Sequence, residues 1–291
     1  MDKHATPAHA MQQPVFALPD HHVATLRGRD AMAFAQAQFM SDVDALADGH
    51  WQWSGWLTPK GRVIALFALL KIDAETIHLV LHDTDPGDFA AQLQRFVFRS
   101  KVAIETGAMD VGGAFETHAE AEGARAGITP GAIVLDFGGE GGARALWIGQ
   151  QLQAGDDADA RNRWIAFDLV HGLPRLVVSQ TGQWTPQQLS LERLRAYSIR
   201  KGCYPGQEIV ARTHFLGQAK RGLALFECDA PLEPGQAIDD GGRSAGTIVA
   251  TANAAGKPLA LAVLPLDPPA TAPATEGHRL YPAELRGGLA R

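Results

Sequence analysis

The stretch Arg200-Lys201-Gly202-Cys203-Tyr204-Pro205-Gly206-Gln207-Glu208-Ile209-Val210-Ala211-Arg212 gathers one thiol, three cations, two glycines, a proline and a carboxylate. Gly202 and Pro205-Gly206 are turn chemistry, because they supply unusual backbone angles and a fixed φ. Cys203 and Tyr204 stand between them, on a loop expected to project both side chains. From Gln207 onward the pattern turns helical. Pro205 suits the first position of that helix and Glu208 its first turn, where negative charge is favoured. Cys203 therefore precedes a helix N-terminus, with Arg200 and Lys201 beside it. Such surroundings depress a thiol pKa and favour the thiolate. The competing reading of a lone cysteine is a small buried hydrophobe.

Within this stretch, Lys201-Gly202-Cys203-Tyr204-Pro205-Gly206-Gln207-Glu208 resembles the K-G-C-Y-x-G-Q-E signature of the YgfZ family of folate-binding proteins. These are relatives of the aminomethyltransferase T-protein of the glycine cleavage system. The resemblance extends upstream to Asp168-Leu169-Val170-His171-Gly172-Leu173-Pro174 and to Trp184-Thr185-Pro186-Gln187. Downstream it takes in Val210-Ala211-Arg212 and Lys220-Arg221, and it runs from about Pro14 to the C-terminus.

What it implies is an α+β fold: an aminomethyltransferase-like tripartite ring of ferredoxin-like α/β subdomains plus a C-terminal antiparallel β-barrel. The expected division is a disordered tail over 1–13, a first α+β subdomain over 14–47 with 104–216, a second, ferredoxin-like one over 48–103, and the barrel over 217–291. The resemblance also implies that tetrahydrofolate or another reduced folate binds in a central channel. It implies that Cys203 and Lys201 carry the chemistry in assembly or maintenance of iron–sulfur client proteins, including tRNA-modifying enzymes. Tyr204, Gln207, Glu208, Arg200 and Arg212 are the residues it places at the ligand. Clusters usually take about four thiolates, so Cys203 is expected to act as a transient ligand or redox thiol toward a client. Tyr204 has two readings, packing of the loop and stacking on a ligand. Gln207 and Glu208 also suit the start of the helix.

Composition sets the outer limits. A chain of 291 residues is comfortable as two or three compact units. A net charge of −6 argues against an extended nucleic-acid-binding face, while leaving room for a local basic patch. Two cysteines, Cys203 and Cys228, make no disulfide framework and suit a reducing cytoplasm. The longest apolar run, Val63 to Leu70, is too short to span a bilayer. Residues 1–13 have no apolar core of the kind a signal peptide needs. A monomer with no membrane partner is expected.

The remaining pattern reads in order. Val15–Leu18 and Val23–Leu26 are short strands, and Asp30 is placed to cap a helix from Ala31 to about Met40. Trp51–Trp56 and Arg62–Leu70 are strands across the Thr58-Pro59-Lys60-Gly61 turn, followed by a strand at Ile77–Leu81. Asp85-Pro86 starts a helix with Phe89, Leu93, Phe96 and Val97 on its apolar face. Val102–Ile104 is a strand. Gly107–Gly142 shows little period before Ala132–Phe137; Ala145–Gly149 is a strand, and Asp156–Asp159 opens a helix ending at Gly172. After Gly217, short strands alternate with Pro234-Gly235, Gly241-Gly242 and Pro265 turns, as in a small barrel, and Asp267–Pro273 is a Pro/Ala-rich loop. His21-His22 lacks thiol or carboxylate partners at metal-ligand spacing, so no metal is expected.

A folate pocket needs apolar or aromatic walls, a polar group for the pterin edge and cations for the glutamate tail. Trp and Tyr residues and the Arg200/Lys201/Arg212 cluster are the candidates. In T-proteins the strand after the glycine turn carries an acid that acts on the folate. The corresponding Gly61-Arg62-Val63-Ile64-Ala65-Leu66-Phe67 has no carboxylate, and Asp73 and Glu75 suit a turn. Three functions stay in play: the iron–sulfur maintenance factor, a folate-dependent aminomethyl or one-carbon transferase using another acid, and a non-catalytic folate-binding adaptor.

Overall fold

The computed structural model describes residues 15–215, 217, 219–240, 243–254, 256–267 and 273–291. The expected tail at 1–13, the Gly241-Gly242 turn and most of the 267–273 loop lie outside the described residues. Three sheets organise the chain.

The first sheet has the strand order His50–Leu57, Val63–Asp73, Thr76–His82, His21–Arg27, Ala103–Thr106, every pairing antiparallel. Helices α1 (Ala31–Gln38) and α2 (Pro86–Gln94) cover one face. The apolar run at Val63–Leu70 follows from burial on both faces. Ala65, Phe67 and Leu69 pack in the cluster that contains α1 and α2, while Leu66, Ala68 and Leu70 join the large central core. Asp85 caps α2 as expected, its carboxylate accepting from Asp88 N at 2.8 Å. Asp30 does not cap α1 with its side chain; its carboxylate accepts from Lys101 N instead.

The second sheet runs Phe16–Ala17, Asp110–Ala114, Ala145–Gly149, Ala132–Asp136, Gly127–Thr129. Helix α3 (Ala158–Val170), capped by Asp157, lies between this sheet and the barrel. Trp164 packs against Phe16 of the sheet, while Ala166 and Leu169 meet Leu225, Ala250 and Leu261 of the barrel. The third sheet is a closed six-stranded antiparallel barrel of Arg221–Cys228, Lys257–Pro265, Arg243–Ala254, Ala237–Asp240, Ala274–Thr275 and His278–Ala283.

These sheets divide the chain differently from the expected boundaries. His21–Arg27 pairs with both Thr76–His82 and Ala103–Thr106, so residues 21–106 form one layer and the cuts at 47/48 and 103/104 fall inside it or at its edge strand. Strand partners at this separation leave no local trace in the sequence. The C-terminal residues leave the barrel and return to the core. Trp53 Nε1 donates to Leu289 O at 2.7 Å, and the Arg291 guanidinium donates to the carbonyls of Asp136 and Gly138.

Where the first two sheets and α3 meet, Trp53, Phe137 and Trp164 surround the facing imidazoles of His21 and His82, whose ring centroids are 4.6 Å apart. Neither ring has a hydrogen-bond partner among the described residues. Burial holds both far below 6.5, helped for His21 by His82 and for both by Arg175 and Arg144. Below about pH 6.5 the unfolded chain takes up protons that the native rings refuse, so stability present at neutral pH is lost on acidification. From pH 7 to pH 5 both rings are expected to contribute to the lost stability. Denaturant titrations at both pH values should show His82→Phe near parental stability at pH 7 and less acid-sensitive. Equal acid sensitivity would refute the assignment.

Candidate functional site: the Cys203 loop and the adjoining groove

The motif forms a loop leading into helix α4 (Gln207–Phe215). Three of its side chains, those of Lys201, Tyr204 and Gln207, hold it in place. The Lys201 ammonium donates to the carbonyls of Gln36, Phe39 and Ser41 at 2.6, 2.5 and 2.8 Å. It thus ties down the C-terminal end of α1, where free carbonyls and the helix dipole favour a cation. Burial pulls its pKa down to about 8, against the nearby Asp42 and Asp44, so it is protonated at neutral pH. The buried Tyr204 hydroxyl donates to Ser198 O at 3.0 Å, and its ring lies 5.0 Å from the Lys201 ammonium. Gln207 Nε2 donates back to Lys201 O at 2.9 Å. Just upstream, Ser198 N donates to Met40 O at 2.8 Å.

Two glycines fix the other side. Gly206 has φ +78°, and a Cβ there would lie 2.6 Å from both Gly61 Cα and Thr58 O. Gly61, at φ +69°, leaves a Cβ only 2.8 Å from Ile209 Cβ. The motif is therefore seated directly on the 58–61 hairpin turn, at a distance only glycine permits. What remains outward is Cys203, which is exposed, together with exposed Glu208, Arg200 and Arg212.

Several expectations change at this point. Lys201 is not free to act on the thiol, because its ammonium is engaged by three carbonyls. Tyr204 packs the loop and is not a stacking surface. The Arg200/Lys201/Arg212 cluster is not gathered, since Lys201 is buried while both arginines are exposed. Trp51, Trp53 and Trp164 are fully buried in the core and form no open wall. Asp73 accepts from Glu75 N at 2.8 Å in the turn, as its sequence position implied. Cys228 is buried in a barrel strand, where burial raises its thiol to about 11.

Beside the loop is a groove of about 560 Å³ lined by Gln187, Glu192, Arg195, Tyr197, Ile199, Thr213, His214 and Leu266 among others. It combines an apolar wall with convergent polar groups. Gln187 donates to Val210 O at 2.9 Å, and its buried Oε1 has no partner among the described residues. Partial desolvation raises the Glu192 carboxyl above its ordinary range; desolvation and then the adjacent Glu192 raise the Tyr197 phenol. Arg195 supplies the cationic side, with the His214 imidazole beside it. Sequence reading singled out none of these except Gln187, in the Trp-Thr-Pro-Gln element, because the groove is assembled from segments with no periodic pattern. Arg195 sits at φ +55°, a left-handed conformation uncommon for a bulky residue, and Ser190 does likewise at φ +48°. These bends bring the 191–194 turn alongside the motif helix.

No family model matches the chain. Among curated proteins it is 28% identical over 247 residues to an uncharacterised protein of Haemophilus influenzae, covering 81% of this chain and 83% of the relative. It is 27% identical over 265 residues to the tRNA-modifying protein YgfZ of Klebsiella pneumoniae, covering 80% and 79%. The same protein from Photobacterium profundum is 25% identical over 283 residues, covering 86% and 83%. In structure, the chain matches the glycine cleavage system aminomethyltransferase T of Bartonella henselae with a TM-score of 0.72 at 13% identity, over 94% of this chain and 87% of that one. The arrangement of two α+β layers and a barrel is thus that of the aminomethyltransferase fold.

Proposed function

We propose that this chain, a member of the YgfZ family on the aminomethyltransferase fold, is a reduced-folate-binding factor that maintains or assembles iron–sulfur clusters in client proteins, tRNA-modifying enzymes among them. The observation that carries the reading is the loop itself. Lys201, Tyr204, Gly206 and Gln207 all serve to position it, and Cys203 is the one thiol it turns outward. A thiol held in this way suits transfer chemistry at a partner's surface better than packing. As a soft donor, its sulfur can ligate iron transiently or exchange with a client disulfide. One cysteine cannot retain a cluster, so the client supplies the remaining ligands.

In this reading tetrahydrofolate takes the groove beside α4. Tyr197 and Ile199 cover the flat pterin, Glu192 and Gln187 read its hydrogen-bonding edge, and Arg195 and His214 face the glutamate carboxylates. Aminomethyl transfer is the weaker alternative. The Val63–Leu70 run offers no carboxylate, and Asp73 is engaged in a turn.

Calorimetric titration with tetrahydrofolate under reducing conditions tests the ligand. A saturable heat is expected, weakened about tenfold, or about 1.4 kcal/mol, by Arg195→Ala. The absence of both heat and thermal shift would remove folate from the account.

A further inference from the structure

We propose that residues 95–101, the segment after α2, are a docking site for unpaired bases of a single-stranded RNA segment. Phe98 is the stacking platform, and Arg95, Arg99 and Lys101 contact the phosphates.

The segment reads Arg95-Phe96-Val97-Phe98-Arg99-Ser100-Lys101. It turns tightly as α2 ends, with Phe96 N donating to Leu93 O, Val97 N to Gln94 O and Phe98 N to Phe96 O. The turn separates the two aromatic rings. Phe96 stands edge-on to Trp56 with centroids 5.7 Å apart, whereas Phe98 is 87% exposed. The far end is clasped to the turn before α1. Lys101 N donates to Asp30 Oδ2 at 2.7 Å, and Asp30 N donates back to Lys101 O at 3.3 Å. Gly28, at φ +138°, permits this approach, since a Cβ there would lie 2.2 Å from Lys101 O. An exposed ring on a clasped segment is pre-organised to stack.

The charge around it is one-sided. Arg29, on the clasping turn, joins Arg95, Arg99 and Lys101 as a fourth exposed cation. Asp30, on the clasping turn, is engaged by Lys101 N and stands 3.6 Å from Arg29. Arg95, Arg99 and Lys101 make no salt bridge with the described residues. On a chain of net charge −6 such a cluster is a local exception. A flat apolar ring flanked by cations complements a partner that is itself flat and anionic. Unpaired nucleotides meet both conditions, while a duplex hides its base faces. The choice of RNA rests on the tRNA-linked part of the function proposed above, and not on Cys203.

The test is fluorescence anisotropy of the full chain with a labelled single-stranded RNA of about 12 nucleotides, a length within the range of small single-strand sites. Saturable, salt-sensitive binding is expected. Phe98→Ala should weaken it by about tenfold or more. Arg99→Ala with Lys101→Ala should lower the slope of log affinity against log salt by about 1.4, or roughly 0.7 for each lost phosphate contact. All three side chains are exposed, so unchanged melting temperatures should accompany these losses. No binding at low salt, or unchanged binding by Phe98→Ala, would overturn the proposal. So would binding of Phe98 to phosphatidylserine vesicles without binding to RNA. Failure here leaves the Cys203 reading intact, because complementation by Cys203 variants measures a different residue.

Discussion

Asp168→Ala is expected to lower the stability of the chain by about 3–5 kcal/mol, the usual cost of stranding a buried charge. The Asp168 carboxylate is fully buried and accepts from Arg144 Nη1 at 2.7 Å and from Arg175 Nη1 at 3.2 Å. Arg175 has a second, bidentate partner in Asp83, at 2.5 and 2.6 Å. Arg144 has none. Without Asp168 its guanidinium keeps the carbonyls of Phe137 and Trp164 and the faces of the Trp164, Phe167 and Phe137 rings, 4.2, 4.0 and 5.9 Å away. Ring contacts and neutral acceptors do not replace a carboxylate in a site closed to water. The network also ties the layers together, since Arg144 immediately precedes the Ala145–Gly149 strand of the second sheet, Asp168 belongs to α3 and Asp83 directly follows the first-sheet strand Thr76–His82. Denaturant unfolding measures the loss. Asp168→Leu combined with Arg144→Met should recover much of it, because removing both partners leaves no orphaned charge. A loss below about 1 kcal/mol for Asp168→Ala would show that water or a shifted neighbour satisfies Arg144.

How legible was all this in the sequence? Local chemistry was readable wherever a residue acts on its own neighbours. Asp85 and the Asp156–Asp159 run were legible as helix starts, Gly206 as a turn, and the Val63–Leu70 run as a buried strand. The eight-residue motif carried the fold through its resemblance. What could not be read depends on distant partners. Lys201 looked like a cation for the thiol because both lie in one short stretch, yet its partners are the carbonyls at the end of α1, about 160 residues away in the chain. The placement of His21–Arg27 in the first sheet, the return of Leu289 to Trp53, and the groove at Glu192 and Tyr197 are long-range in the same sense. Strands Asp110–Ala114 and Gly127–Thr129 were missed because a Gly- and Ala-rich stretch has no apolar alternation to detect.

Cys203→Ser bears most directly on the function. Serine keeps the size of the side chain and a hydrogen-bonding group at an exposed position, so the loop should stand unchanged. Lys201, Tyr204 and Gln207 would still hold it, and Gly206 would still rest on Gly61. What is lost is the sulfur, because a hydroxyl does not ionise near neutral pH and is a poor ligand for a soft metal. Folding and folate affinity should therefore survive while function fails. Cys228→Ser is the internal control, since that thiol is buried in the barrel and away from the motif in sequence. The decisive measurement is complementation of a strain lacking its own factor, scored by the activity of a cluster-dependent tRNA-modifying enzyme. The account predicts activity at the empty-vector level with Cys203→Ser and at the parental level with Cys228→Ser. Full complementation by Cys203→Ser would contradict it, and would leave the loop as the docking surface of a folate-binding adaptor.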